Sequence, residues 1–341
     1  MPLNLVPTET KIPFTKARNV TMGLSALVVA ASIFAFLTIG LNFGIDFRGG
    51  VTVEVGPAPE QTFTASDLGE VRSAVDALGL GNVAAREIGG VAGAPAGIVV
   101  VVEEQDVEGE ADISSEGIDQ AAEQLQTQVA NQVQAVLVET LGEDISFRRV
   151  DVVGPTVSGE LVQRGVLAMV LAVGMMLVYI WFRFEWQFSL GAVLALVHDV
   201  AITIGVFSVT QLEFTLSIIA ALLTIIGYSM NDTVVVYDRI RENLRKFKRK
   251  PLTEVIDLSI NQTLSRTLMT SVTTLIALVS LFLFGGEVLR GFSFALIWGI
   301  LIGTYSSVFI ASPLLLLTGV KRDWSEGAAA DGKPAESPSA P

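Results

Sequence analysis

Six long apolar runs constrain this chain more than any other feature. They fall at Val20 to Leu41, Gly165 to Phe182, Phe188 to Val209, Leu216 to Tyr237, Thr267 to Phe284 and Phe292 to Leu317. A helix rises about 1.5 Å per residue, so about 20 apolar residues cross the roughly 30 Å of hydrocarbon in a bilayer. The runs therefore predict a polytopic α-helical membrane protein with six transmembrane helices. Lys11, Lys16 and Arg18 precede the first run, as they would in a signal peptide. Its apolar stretch exceeds the roughly 7–15 residues usual there, so it reads as a retained anchor.

Charge is segregated along the chain. The formal net charge is −13, from 35 Asp and Glu against 22 Lys and Arg. Between Leu41 and Glu160 stand 21 of the acids with five Arg and no Lys, which leaves the remainder slightly basic. Lys and Arg mark the cytoplasmic ends of membrane helices. Lys11, Lys16 and Arg18, then Arg183, the run Arg239 to Lys250, and Lys321 with Arg322 all fall on one side if six helices are threaded. Both termini are then expected in the cytoplasm. The opposite side receives the acidic segment, the Thr210 to Thr215 turn and Gly285 to Gly291. Tyr179, Trp181, Phe184 and Trp186 read as an interfacial aromatic belt.

Gly50 to Asp151 reads as one small α/β domain outside the membrane. Val51 to Val55 is β-branched, and Ser66 is a helix cap with Asp67 and Glu70 in the first turn. Asn82 to Ile88 and Gly97 to Glu103 read as strands around the Gly89 to Gly93 turn, Ser114 to Leu141 as a helix, and Ile145 to Val153 as a last strand. That β-α-β-β-α-β order predicts an external ferredoxin-like α/β domain between helices 1 and 2. Glu103 to Asp112 is a solvated acidic loop, because EF-hand spacing and its central glycine are absent. The expected segments are an N-terminus (1–19), helix 1 (20–41), the external domain (42–160), helices 2 to 6 (161–320) and a disordered cytoplasmic tail (321–341).

The chain has no cysteine and one histidine, His198, which excludes thiolate centres and multi-histidine metal sites. No cofactor or metal is expected. No P-loop or other nucleotide motif occurs, so no ATPase activity is expected.

An ionisable residue in a transmembrane helix costs about 2.5–3.5 kcal/mol on insertion scales and normally has a partner or a wet cavity. Asp232 lies in the fourth run beside Asn231, with Thr224 and Tyr228 on its face two turns and one turn before. Arg266 opens the fifth, with Gln262 and Thr263 one turn before it, Thr270 one turn after and Thr273 and Thr274 beyond. Both charges are expected at comparable depth, where they could meet as an ion pair. One reading is a proton relay in which Asp232 exchanges a proton and Arg266 biases its affinity. The other is a static pair that fixes packing. The Asn, Gln, Tyr and Thr ladder, which can carry ordered water, favours the relay. His198 and Asp199 are about 100° apart on one helix, so they are expected to face different partners. Asp199 is the functional candidate of the two, and His198 a packing residue. Gly299 and Gly303 give a GxxxG spacing for close helix packing.

Several segments together resemble the SecD/SecF family, within the resistance-nodulation-division transporter superfamily, and its SecF side in particular. They are GIDFRGG (Gly44 to Gly50), VGPTVSGEL (Val153 to Leu161), HDV (His198 to Val200), GYSMNDTVVVYDRIREN (Gly227 to Asn243) and NQTLSRTLMTS (Asn261 to Ser271). The first is similar to the family's Asp-Phe-x-Gly-Gly signature, carried here by Gly44, Asp46, Phe47, Gly49 and Gly50. The family's essential Asp and Arg fall on Asp232 and Arg266; the polar residues read above add Asp199, Asn231, Tyr228 and Thr270 as supporting candidates. Some relatives carry a further acid at the outer start of the last helix, where this chain has Gly291 and Phe292, so that role does not transfer.

The resemblance implies a subunit that uses the proton motive force for late steps of Sec-dependent export across the bacterial inner membrane, with a periplasmic domain. Implied partners are SecD, the SecYEG channel, YajC, unfolded exported polypeptides and protons, with no nucleic acid. Rival readings are a half-sized exporter of lipids or small apolar substrates and a purely structural assembly subunit. An intramembrane protease is disfavoured, because no paired aspartates of that kind and no Ser-His arrangement stand out.

Overall fold

The structure, a computed structural model, describes residues 10–58, 62–81, 83–88, 97–103 and 115–320. The expected Gly89 to Gly93 turn, the acidic loop and the C-terminal tail lie outside the described residues. The element order is α1 (Arg18–Thr38, entered by a 3-10 turn at Phe14–Ala17), α2 (Ile45–Arg48), β1 (Gly50–Gly56), α3 (Ala65–Asp76), β2 (Val83–Ile88), β3 (Gly97–Glu103), α4 (Ser115–Leu141) and β4 (Ser146–Val153). The membrane part follows with α5 (Pro155–Arg183), α6 (Trp186–Thr210), α7 (Leu216–Lys246), α8 (Leu252–Phe284), α9 (Gly286–Ser306), a π turn (Ser307–Ala311) and α10 (Ser312–Thr318).

Six spans are long and apolar enough to cross a membrane, one on each expected run. Several outgrow their runs: α7 continues to Lys246 and α8 starts at Leu252. Those extensions carry charge on one side and apolar residues on the other, so hydropathy fades while the helix persists. Ile240, Leu244, Val255 and Ile256 close a core between them. The sixth run is not one α-helix. Pro313 lacks an N–H, and its ring opposes the carbonyl four residues back, which breaks the α pattern ahead of it. Side chains donate to two carbonyls of this stretch: Tyr237 Oη to Ala311 O at 2.9 Å and Ser312 Oγ to Ser307 O at 2.8 Å.

The centre of the bundle is α6, α7 and the last span, each about half buried, while α5 is almost wholly exposed. A Cβ on Gly299 would collide with the Ile225 side chain, and one on Gly303 would lie 3.1 Å from Ser229 Cβ. The GxxxG spacing therefore lets the last span press against α7, as its small residues imply.

The sheet has the order β2-β3-β1-β4 with every neighbouring pair antiparallel, the arrangement of a ferredoxin-like sandwich. Alternate residues Val51, Val53 and Val55 of β1 and Ile98, Val100 and Val102 of β3 point into one core with α3 and α4, through Val71, Val75, Val133 and Leu137. The cap of α3 is Thr64 rather than Ser66. Thr64 and Asp67 form a reciprocal capping box, which satisfies two backbone N–H groups and starts the helix earlier. Ser66 lies inside the first turn and donates to Glu70 at 3.3 Å.

The neck between domain and membrane is built by the Gly44 to Gly50 signature. Gly49 holds φ +74 and ψ 170, a region open essentially to glycine alone, and Gly50 holds φ +121. The chain then bridges to the start of α7: Gly44 N donates to Phe214 O at 2.9 Å and Phe214 N to Asn42 O at 2.7 Å. Phe43, Phe47 and Phe214 pack their rings around this bridge. Asp46 Oδ2 accepts from Leu216 N at 2.9 Å, so the signature aspartate caps the helix that carries Asp232.

Two glycines separate backbone strain from simple flexibility. Gly69 is inside α3 with open space around its Cβ position, so Gly69→Ala is expected to stabilise the domain by about 0.5–1 kcal/mol. Gly49→Ala forces a side chain into a glycine-only region and should cost about 1–3 kcal/mol. Thermal melts of the purified chain, followed by protease protection of the external domain, read the two opposite shifts.

Candidate functional site

α7 and α8 place their polar stripes side by side. Tyr228, Asn231 and Asp232 from α7 and Thr270, Thr273 and Thr274 from α8 line a cavity of about 230 Å³, with Gly303 and Thr304 of α9 at its back. Asp232 is half-buried, while Asn231, Tyr228 and Thr270 are exposed on the flank of the bundle. Thr224, expected on the same stripe, is tied to its own helix through Ala220 O at 2.9 Å and does not line the cavity.

The threonine wall has a defined polarity. Thr270 Oγ1 donates to Thr267 O and Thr274 Oγ1 to Thr270 O, both at 2.9 Å, and Thr273 Oγ1 donates to Met269 O at 2.8 Å. Each hydroxyl has a single hydrogen, already given to its own helix, so the wall presents acceptor lone pairs to the cavity. Water or a protonated water finds acceptors there.

The expected contact between Asp232 and Arg266 does not form. Among the described residues no ion pair within 4.0 Å joins them, and neither has a hydrogen-bond partner. Arg266 is exposed while its neighbour Thr267 is 2% exposed, so the turn of α8 that buries Thr267 directs Arg266 outward. Gln262 is also turned elsewhere: Asn243 Nδ2 donates to its Oε1 at 2.8 Å and tightens the inner ends of α7 and α8. Asn261 holds the N-terminal segment through both atoms of its amide, accepting from Ile12 N at 3.0 Å and donating to Ile12 O at 2.9 Å. Asp257 accepts from Thr15 N and Thr15 Oγ1, each at 2.8 Å.

Asp199 and His198 also depart from expectation. Asp199 is fully buried, and its Oδ1 lies 2.9 Å from His198 Nδ1, so the two adjacent side chains bend toward each other instead of facing different partners. Asp199 Oδ2 accepts from Ser229 Oγ at 2.5 Å and Ser306 Oγ at 2.7 Å. Sequence reasoning missed both serines. Their only signal is a small hydroxyl inside an apolar run, a feature shared by many packing residues. Ser229 also lines the Asp232 cavity, so one residue borders both carboxyl groups' environments.

Of the signature residues, Gly44 is pressed against α7's entrance: a Cβ would stand 2.7 Å from Glu213 Oε1 and 3.0 Å from Thr215 Cγ2. Asp46, Phe47, Gly49 and Gly50 form the neck and lie away from the Asp232 cavity. No group of three or more His, Cys, Asp or Glu able to hold a metal occurs among the described residues.

Two family profiles match the chain. Residues 132–321 match "Protein export membrane protein SecD/SecF, C-terminal" and residues 34–58 match "SecD/SecF GG Motif". The chain is 47% identical over 323 residues to the protein translocase subunit SecF of Cereibacter sphaeroides, covering 94% of this chain and 93% of that one. It is 44% identical to the SecF of Rhodobacter capsulatus, covering 94% and 93%. It is 45% identical to the protein translocase subunit SecDF of Brucella abortus, covering 98% of this chain and 41% of that longer one. Among solved structures it is similar to SecDF, a translocon-associated membrane protein from Thermus thermophilus, with TM-score 0.71 and 31% identity, covering 92% of this chain and 39% of that one.

Packing at the back of the cavity is tight enough to test. Gly299→Val places a branched side chain into Ile225 and should separate α9 from α7, costing about 1–3 kcal/mol. A lowered unfolding temperature in detergent is the expected result, with Gly291→Ala unchanged as the control, because a Cβ there meets Ile218 Cδ1 at an ordinary 3.5 Å.

Proposed function

Because the chain belongs to the SecD/SecF protein-export family, we propose that it acts as the SecF half of a SecD–SecF complex driven by inward proton flow. Membership makes it a multi-pass protein of the bacterial inner membrane with a role in Sec protein export, an accessory to the translocon rather than a classical enzyme. The observation that carries the proton reading is the open polar face of α7 and α8. Among the described residues neither Asp232 nor Arg266 has a hydrogen bond or a direct ion pair, although charges in hydrocarbon cost about 2.5–3.5 kcal/mol apiece. A second surface of matching chemistry completes that face. SecD is the natural occupant: a relative and a solved structure both carry SecD and SecF sequence in one chain, of which this chain matches about two fifths.

In the completed site Asp232 takes and releases the proton. Arg266 supplies a nearby positive charge without locking Asp232 in a direct ion pair. Tyr228, Asn231 and Thr270 hold the water that connects the site to solvent. One proton crossing 100 mV releases about 2.3 kcal/mol, enough to bias a rigid-body motion. With no nucleotide motif in the chain, the proton is the local energy source. The neck carries that motion outward, because Asp46 and the Phe43–Phe214 bridge fasten the sheet domain to the same helix that bears Asp232.

The charge bias supports cytoplasmic termini and a periplasmic sheet domain. Arg183 pairs with Asp238 at 3.0 Å, and Thr15 joins Asp257, so the basic loops and the N-terminal segment share the end opposite the neck. Family resemblance adds the SecYEG channel, YajC and unfolded exported polypeptide as further partners, and places the action late in export.

Inner-membrane vesicles with equal amounts of assembled complex test the reading. Asp232→Asn keeps size and hydrogen bonding but cannot ionise, so assembly survives while proton-driven precursor export falls to the level without a gradient. Arg266→Met also impairs export, and Arg266→Lys restores it in part because charge remains but the planar fork is lost. Full gradient-dependent export in Asp232→Asn favours the static structural subunit instead.

A further inference from the structure

The Asp199 cluster adjoins the site just described through Ser229, and the reading above gives it no step of its own. Three helices meet there: His198 and Asp199 from α6, Ser229 from α7 and Ser306 from α9. The oxygen–oxygen distances of 2.5 and 2.7 Å are those of hydroxyls donating to a carboxylate. A carboxylate that only pinned helices would be fully served by these donors. His198 is not: its Nε2 is buried and has no hydrogen-bond partner among the described residues. Leaving a buried polar atom unpaired costs about 1–3 kcal/mol, so a ring held this way calls for a reason beyond packing.

We propose that Asp199 and His198 form a second proton-binding site, loaded from the Asp232 cavity through the Ser229 hydroxyl. The inference rests on the proton-coupled reading above and extends it from one carboxyl group to two in series. Ser229 is the connecting atom set: it borders the cavity and touches Asp199 Oδ2. In the transfer, the Ser229 O–H bond breaks as an O–H bond forms on Asp199 Oδ2. The serine oxygen regains a hydrogen from a protonated water in the cavity, which leaves as neutral water. One proton has moved inward and the carboxylate has become a neutral acid, with no other bond changed. His198 Nδ1 holds Oδ1 throughout and fixes the carboxyl plane so that Oδ2 faces Ser229 and Ser306.

The groups that face this site are few. His198 adjoins it on α6, and Asp232 of α7 lines the cavity that Ser229 borders. From the last span Tyr305 stacks on the His198 ring at 6.2 Å. Tyr305 is itself held by α1, its hydroxyl 3.0 Å from Ser25 Oγ. Loading also has a mechanical reader. Ser306 is the final residue of α9, directly before the π turn at Ser307–Ala311. Neutralising Asp199 weakens the Ser306 bond at the one place where the last span departs from α-helix geometry.

Infrared difference spectroscopy of the SecD-paired full chain in lipid vesicles, between acid and alkaline pH and with deuterium exchange, reads the carboxyl groups directly. Two protonated-carboxyl bands are expected, one lost in Asp232→Asn and the other in Asp199→Asn. His198→Gln should shift the second band and leave the first, which keeps the assignment secure if Asp199→Asn fails to assemble. Ser229→Ala should retain both bands but slow deuterium exchange at the second several-fold. A wild-type spectrum with no band sensitive to Asp199→Asn or His198→Gln overturns the second site, and wild-type exchange in Ser229→Ala overturns the route. An intact Asp199 band in vesicles whose export ignores Asp232→Asn would sink the coupling reading while sustaining the second site.

Discussion

The architecture turns on a carboxyl group and a guanidinium left open on the side of a membrane bundle. Lipid supplies no hydrogen bonds, and each helix satisfies its backbone alone, so every polar side chain in a span needs a specific partner. Most here have one: Ser25 meets Tyr305, Ser271 meets Thr304 and Asn243 meets Ser259. Among the described residues Asp232 and Arg266 have neither a hydrogen bond nor a direct ion pair. That contrast within one chain distinguishes polar residues that glue helices together from polar residues that await another surface.

Two clamps hold the helices bearing those charges. At the neck Asp46 caps α7, and Gly49 holds a glycine-only backbone just before the sheet. At the opposite end Asp257 and Asn261 grip the N-terminal segment and so restrain α8. Each clamp is a carboxylate or amide bonded to backbone, an interaction with fixed direction. These bonds tie α7 to the sheet domain and α8 to the N-terminal segment, while the glycines of α9 let it pack closely on α7.

Hydropathy and charge made the spans and the ferredoxin-like domain legible, because both are properties of local composition and period. Asp232 and Arg266 were legible as intramembrane charges. Their relation was not, since a single helix rotation decides whether Arg266 reaches Asp232 or faces outward, and that rotation is set by the burial of Thr267 among distant residues. The same limit hid Ser229 and Ser306, whose partner lies 30 and 107 residues away. It also joined His198 to Asp199, which helical geometry alone sends apart by about 100°. The break in the last span had a visible cause in Pro313, yet an apolar run long enough to cross the bilayer masked it.

Proton movement itself is the most direct test of the central claim, that the α7–α8 face carries protons once a homologous half covers it. Proteoliposomes holding the complex and a pH-sensitive dye inside, acidified outside under an inward-negative potential, report uptake without any exported protein. The account predicts uptake by the wild-type complex above that of empty vesicles, falling to the empty-vesicle rate in Asp232→Asn and in vesicles holding this chain alone. Equal uptake by wild type and Asp232→Asn, in complexes assembled to the same extent, would contradict it.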